Sequence, residues 1–459
     1  MMFEDTIAAI STPVGAAGIG IIRISGSNSV FLGEKIFRNP QGKKLAGAKN
    51  HNLLYGHIIE SGKVLDEVLV SVMRGPHSFT AEDVVEINCH GGVIAVRKVL
   101  EAVIKVGARP AEPGEFSKRA FLNGRIDLAQ AESVIDLINA KTEKSLKVAV
   151  AQLDGILSRE VEKMSGELLQ LIAHIEAGID FPEHDIEEMS RAQIKQEAQQ
   201  LDQKLHNLID SAETGRVFRE GLRTVIIGKP NVGKSSLLNA LVREKRAIVT
   251  DVPGTTRDVI EEVVNIKGIP LVLIDTAGIR ETEDVVEKIG VEKSREMLTR
   301  ADLILFMIDA STGLTVEDLE ILPYTAEKNS IVIINKTDLT NDMDTSVVEK
   351  HISRSNILEM SLLHGQGLAE LEQRIENMVY AGLASGSEDV MVTNVRHKNA
   401  LERAACSLKE VLGALEANLP TDCMAIDLKA AWESLGEITG ETVSEDLVDQ
   451  IFSQFCIGK

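Results

Sequence analysis

Apolar residues change their spacing several times along this 459-residue chain, and each change marks a different kind of structure. Over residues 1–122 they come as short runs separated by glycine turns. Ile19-Gly-Ile-Ile-Arg-Ile-Ser25 and Val84-Val-Glu-Ile-Asn-Cys-His90 read as strands, and Gly92 to Val106 has helical spacing, so this segment predicts an α+β domain. From about residue 125 the period lengthens. Leu146, Val150, Leu153, Leu157, Val161, Met164, Leu168, Ile172 and Ile175 recur every three or four positions, which predicts one long amphipathic helix and makes 123–217 a helical segment. Phe181-Pro-Glu-His-Asp185 breaks the pattern, and a second helix runs to about Glu213.

Residues 218–381 alternate strand and helix. Thr224–Ile227, Leu271–Ile274, Leu303–Ile308 and Ile331–Ile334 are short, wholly apolar runs suited to a buried parallel sheet of the α/β class. Ala384-Ser-Gly-Ser-Glu388 reads as a linker, and 382–459 returns to helical spacing through Trp432, Leu435, Leu447, Ile451 and Phe452. Neither helical half looks self-sufficient. The two are expected to pack together as one discontinuous helical domain, with the α/β domain inserted between them.

Three ordered motifs sit at the ends of the α/β strands. Gly228-Lys-Pro-Asn-Val-Gly-Lys-Ser235 follows a strand and opens a helix, the context that makes a phosphate-binding loop credible. Its glycines let the N–H groups of Asn231, Val232, Gly233, Ser235 and Ser236 wrap phosphates, Lys234 reaches the β/γ oxygens, and the Ser235 hydroxyl suits Mg²⁺. Asp275-Thr276-Ala277-Gly278 supplies a metal-side carboxylate and a glycine amide for a γ-phosphate. Asn335-Lys336-Thr-Asp338 selects the base: a carboxylate at Asp338 accepts from the N1–H and N2–H₂ of guanine and finds no N1 donor on adenine. Ser361, at the end of an Ile357–Met360 strand, closes the base pocket. Thr250-Asp-Val-Pro-Gly-Thr-Thr-Arg257 has the composition of a first switch, with Thr256 completing the Mg²⁺ shell. GTP with Mg²⁺ is therefore the expected ligand. Many GTPases orient the attacking water with a glutamine after the switch glycine; Ile279 stands there and cannot hydrogen-bond. Glu287, in an acidic stretch, is either the water-positioning group or part of a solvated loop.

Charge narrows the partners. The net charge is −21, but residues 1–124 hold 14 Lys+Arg and 12 Asp+Glu, so the deficit lies in the remainder. Such a chain repels nucleic acid in general, and any RNA contact must be local and recruited by shape or by a partner. The four cysteines (Cys89, Cys406, Cys423, Cys456) form no metal-ligand spacing; the first three read as buried packing. No apolar run approaches the ~18 residues of a membrane span, and no leader pattern opens the chain, so a cytoplasmic protein without membrane contact is expected.

Asn231 in the phosphate loop, Gly254-Thr-Thr-Arg-Asp258 and the apolar Ile279 resemble the TrmE-Era-EngA-like GTPases, which are potassium-activated and dimerisation-dependent. Glu115-Phe-Ser-Lys-Arg-Ala-Phe-Leu-Asn-Gly-Arg-Ile-Asp-Leu-Ala-Gln-Ala-Glu132 and the terminal Phe455-Cys-Ile-Gly-Lys459 are similar to the MnmE (TrmE) family of tRNA modification GTPases, and the likeness spans essentially the whole chain. The resemblance implies a Ras-like GTPase domain inserted in a discontinuous helical domain, preceded by a tetrahydrofolate-binding α+β domain that forms a homodimer. It also implies aminomethyl or carboxymethylaminomethyl addition at C5 of the wobble uridine of certain tRNAs, with the flavoprotein MnmG as partner and a 5-formyl or methylene tetrahydrofolate. K⁺ is implied at Asn231, Thr250, Val252 and Thr255, where it supplies the charge an arginine finger brings elsewhere, and Glu287 falls on the family's water-orienting glutamate. Folate contacts are implied at Arg23, Glu86, Arg125 and Lys459. Arg125 stands where the family pattern has lysine, and Ser361-Leu-Leu replaces the commoner Ser-Ala-Lys. Cys456 is either a nucleophile or acid/base group in uridine activation, or a small residue that seats the tail.

Two rivals make different demands. A ribosome-assembly GTPase needs a basic RNA-binding module after the switch domain, yet residues 383–459 hold 6 Lys+Arg against 13 Asp+Glu and no Gly-x-x-Gly clamp. A GTP-regulated, folate-dependent one-carbon transferase for small amines needs turnover without tRNA.

Overall fold

The structure is a computed structural model and describes residues 5–180, 191–245, 262–274, 299–326, 328–340, 343–381 and 390–459. The chain divides into two compact units: residues 1–135, 152–170 and 432–459 form the first, and residues 136–151 and 171–431 the second.

The first unit is built on a seven-stranded sheet. Its strands are β1 (Ile7–Ile10), β2 (Ile19–Ser25), β3 (Phe37–Arg38), β4 (Asn52–Glu60), β5 (Lys63–Met73), β6 (Val84–His90) and β7 (Arg109–Pro110), in the order β3-β4-β5-β6-β2-β1-β7. Alternation along these strands puts Ile22, Ile24, Val68, Val70, Val72, Val85 and Ile87 on one buried face, closed by the helices Ser29–Ile36 and Val93–Lys105. The opposite face keeps Leu53, Tyr55 and Leu69 exposed beside polar residues. A second, smaller core gathers Ala120, Ile126, Leu128, Ala131, Val448, Phe452 and Phe455, so the helix Glu445–Ser453 is seated on residues 120–131 of the same unit.

The predicted long helix is in fact two, Glu143–Leu153 and Ile156–Asp180, because Gly155 takes φ +76, a left-handed turn that no helix continues through. The stripe is buried from Leu157 through Ile175, whereas Leu146 and Val150 before the break are exposed. Residues 181–190, including the predicted breaker, lie outside the described residues, as does the predicted linker 384–388.

In the second unit, β8 (Leu222–Gly228), β9 (Glu262–Ile266), β10 (Ile269–Leu273), β11 (Leu303–Asp309), β12 (Ser330–Asn335) and β13 (Ile357–Glu359) form a six-stranded sheet of order β13-β12-β11-β8-β10-β9. Every pairing is parallel except the β9–β10 hairpin at the edge, which the sequence reading did not anticipate. Strand β11 is buried at all seven positions, as its unbroken apolar run requires. The helix Arg191–Glu220 feeds β8, and it runs antiparallel to Val395–Glu416: Lys195 pairs with Glu416 at 3.0 Å near one end, and Lys398 with Glu213 at 2.9 Å near the other. The sheet is therefore an insertion between two helices that pack on each other. Two of the three cysteines expected in cores are not there. Cys89 is buried and its thiol is pushed up to about 11 by burial, but Cys406 and Cys423 are exposed because their helices turn them to solvent.

Candidate functional site

The nucleotide loops meet at the carboxyl ends of β8 and β12, where an α/β sheet presents ligands. Strand β8 ends at Gly228, and the helix Lys234–Lys245 begins after five intervening residues. Between them the backbone leaves the right-handed region at Asn231 (φ +63) and Gly233 (φ +107). A Cβ on Gly233 would lie 2.4 Å from Asn335 Nδ2, so only glycine lets the loop close against the base motif. Asn335 is buried and ties the two loops: its Nδ2 donates to the Val232 carbonyl at 2.8 Å, and its Oδ1 accepts from the Leu362 N–H at 3.3 Å.

Lys234 Nζ donates to the carbonyls of Gly228 and Lys229, each at 2.6 Å, and burial pulls its pKa below the ordinary lysine value. Asp338 is exposed and accepts from the fully buried Ser361 hydroxyl at 2.5 Å, a bond that favours its ionised form. Ser361 thus orients the carboxylate that the sequence assigned to guanine. Behind it, Lys336 Nζ donates to Asp309 Oδ2 at 2.6 Å. Burial alone would raise the Asp309 pKa, but Lys336 and two hydrogen bonds from Ser311 outweigh it and hold the carboxyl below its usual range. Asp309 was not among the residues singled out from sequence, because a strand-end aspartate carries no motif. Ser235 and Ser236 open the helix after the loop. Thr250, Val252, Thr255, Thr256, Asp275, Thr276, Ala277, Gly278 and Glu287 lie outside the described residues.

The second constellation lies in the first unit. Arg23 on β2 faces Glu86 on β6 in register, and its Nε donates to Glu86 Oε1 at 2.8 Å. Arg23 Nη1 and Ser11 Oγ both donate to the Gly458 carbonyl, at 3.3 and 3.1 Å. Ile457 forms an antiparallel bridge with Pro113, and Gly114 N–H donates to the Cys456 carbonyl at 3.4 Å. The tail Phe455–Lys459 is thereby held against its own chain's strands. Gly458 takes φ +91, and a Cβ there would lie 2.3 Å from the Ile10 carbonyl oxygen, so the docked tail demands glycine. Burial, and then the nearby Arg23 charge, push the Lys459 ammonium below its usual pKa. Cys456 is exposed.

Arg125 joins this group through Phe79. Its Nη1 donates to the Phe79 carbonyl at 3.0 Å, and its guanidinium lies 5.1 Å from the Phe79 ring centroid. The Arg23 guanidinium lies 5.5 Å from the same ring and 5.7 Å from that of Phe116. The implied set of Arg23, Glu86, Arg125 and Lys459 is thus one cluster, with two aromatic neighbours: Phe79, which no motif announced, and Phe116, which lies in the Glu115–Glu132 motif but was given no role there. Three cations, one carboxylate and the partly exposed Phe79 ring suit a ligand with a flat heterocycle and an anionic tail, while Phe116, fully buried, backs Arg23 from the core.

A parallel sheet whose strand ends carry a glycine-closed phosphate loop and a guanine-type carboxylate defines a P-loop guanine-nucleotide-binding protein. Residues 6–125 match the family described as GTP-binding protein TrmE N-terminus, and residues 128–456 match the MnmE helical domain. The chain is 56% identical over 461 residues to the tRNA modification GTPase MnmE of Alkaliphilus oremlandii and 53% identical over 461 residues to that of Alkaliphilus metalliredigens, covering 100% of both chains in each case. Among solved structures, Era in complex with MgGDPNP and a 16S ribosomal RNA segment aligns at 33% identity over 40% of this chain and 66% of its own, with a TM-score of 0.27, too low to bear on the fold. The chain belongs to the MnmE (TrmE) family of tRNA modification GTPases.

Proposed function

We propose that GTP binding and hydrolysis in residues 218–381 drive addition of an aminomethyl or carboxymethylaminomethyl group to C5 of the wobble uridine of certain tRNAs, with a tetrahydrofolate derivative as one-carbon donor and the flavoprotein MnmG as partner. The observation that carries this reading is the docked tail, in which Gly458 bonds Arg23, Lys459 lies near the Arg23 and Glu86 charges, and Cys456 lies near Lys459. A cofactor site completed by the docked tail would have no use in a simple nucleotide switch.

In this reading Glu86 accepts from the donor edge of the pterin, while Arg23, Arg125 and Lys459 hold the anionic tail and formyl oxygen. The folate would supply the one-carbon unit. Cys456, exposed and near Lys459, would act on the base or keep the tail seated. In the nucleotide domain, Lys234 neutralises phosphate charge, Ser235, Thr256 and Asp275 serve Mg²⁺, and Glu287 positions the attacking water. Asn231, Thr250, Val252 and Thr255 would hold K⁺, which supplies positive charge beside the phosphates. The homodimer is supported by the exposed apolar face of the first sheet. Leu69 and Ser71 share that face, and Ser71 registers with Glu86, which registers with Arg23, so the apolar patch and the cofactor cluster are continuous. Among the described residues, no helix is long and apolar enough to cross a membrane, in keeping with a cytoplasmic site of action.

Mass analysis of wobble uridines from a deletion strain tests the function: modification is expected to vanish, and profiles identical to wild type would overturn it. For the switch, hydrolysis is expected to fall when sodium replaces potassium, and indifference to the exchange would remove K⁺ from the scheme.

A further inference from the structure

The second residue of the phosphate loop is held from an unexpected direction. Lys229 Nζ pairs with Asp318 Oδ2 at 2.8 Å, and the two side chains are only 17% and 1% exposed. Asp318 is the third residue of the helix Val316–Ala326, and the same Oδ2 accepts from Thr315 N–H and Thr315 Oγ, both at 3.1 Å. That arrangement is one half of a capping box, in which the third helical residue reaches back to the cap backbone. That capping bond needs no cation. The added cation comes from a different element, and that element must hold phosphates.

Lys229 is fixed at both its ends. Its side chain is anchored on Asp318, and its carbonyl accepts from Lys234 Nζ at 2.6 Å. The helix that carries Asp318 follows β11, whose final residue Asp309 is bound by Lys336 of the base motif. One stretch of chain, 309–318, thus touches the phosphate loop at one end and the base loop at the other. Exposed ion pairs do little because water screens them, but this one is nearly dry, so its geometry is strongly enforced.

We propose that Asp318 is a positioning residue for nucleotide binding: through Lys229 it fixes the first turn of the phosphate loop, and with it the carbonyl on which Lys234 rests. It touches no ligand itself. The proposal relies on residues 228–235 being the phosphate loop, and native chain that failed to bind GDP would refute that premise instead.

The test is GDP affinity by calorimetry on the full chain, read beside the melting temperature. Lys229→Met and Asp318→Asn are each expected to weaken GDP binding roughly tenfold, since small displacements of positioned groups carry penalties of that order. Lys229→Arg, which keeps the cation, is expected to restore most of the affinity. The double variant Lys229→Met/Asp318→Asn leaves no buried unpaired charge, so it is expected to melt close to the native chain and still bind weakly. A double variant with native melting and native affinity would overturn the proposal. So would a double variant that fails to fold, which would assign the pair to stability alone.

Discussion

Arg23 Nη1 donates to the Gly458 carbonyl over 3.3 Å, joining two residues 435 positions apart. A strand near the start of the chain and the tail at its other end therefore build one site, and substitutions in either should disturb the same activity.

Gly458→Ala is the sharpest way to separate them. An alanine at φ +91 costs about 1–2 kcal/mol in backbone strain alone, and its Cβ would also meet the Ile10 carbonyl at 2.3 Å. The tail should undock, wobble-uridine modification should fall by roughly tenfold or more, and GTP hydrolysis should persist. Limited proteolysis of the tail, run beside mass analysis of tRNA, checks the pairing of the two effects.

Asp338→Asn tests the base assignment. Two charge-assisted bonds to guanine, each worth about 1.5–3 kcal/mol, are lost, so GTP affinity should fall by roughly a hundredfold to ten-thousandfold. Xanthine carries a carbonyl where guanine has its amino group, and the new amide donates to it. Calorimetry with GTP and xanthosine triphosphate should show opposite changes.

Asp309 sets a pH dependence. Its folded pKa lies below the ordinary value of 3.8, so in the unfolded chain it binds a proton more readily. The stability it contributes is complete above that ordinary value and is lost as pH falls through the lower folded value. Thermal melts across this acidic window should lose part of their slope in Asp309→Asn.

The cysteines should separate in a labelling experiment. Cys89 is buried with its thiol pushed up to about 11, while Cys406, Cys423 and Cys456 are exposed. Iodoacetamide at mildly alkaline pH should label the three exposed thiols rapidly in the folded chain and leave Cys89 until denaturant is added; prompt labelling of Cys89 would contradict its burial.

The parallel strands were legible because each is a continuous apolar run, most of them ending in a motif, and hydrophobic burial on both faces permits little else. The helix break at Gly155 was not, since periodicity continues across it and a single left-handed turn leaves no mark on the spacing. Asp309, Asp318 and Phe79 escaped notice for a related reason. Their roles come from what long-range packing brings beside them, and an aspartate in a helix reads as surface until a lysine from another loop is found on it. The cluster of Arg23, Glu86, Arg125 and Lys459 was legible only through resemblance, because no local rule joins positions so far apart.

The antiparallel helices Arg191–Glu220 and Val395–Glu416 bring the two ends of the inserted sheet together, with Val392 N–H donating to Ser211 Oγ at 3.1 Å. To that helix pair, the whole nucleotide domain is a single very long loop. Closing a loop costs entropy only as the logarithm of its length, so the pair tolerates a passenger of this size almost as readily as a short turn. The same proximity makes the passenger exchangeable: a few flexible residues in its place would leave both helices able to find each other.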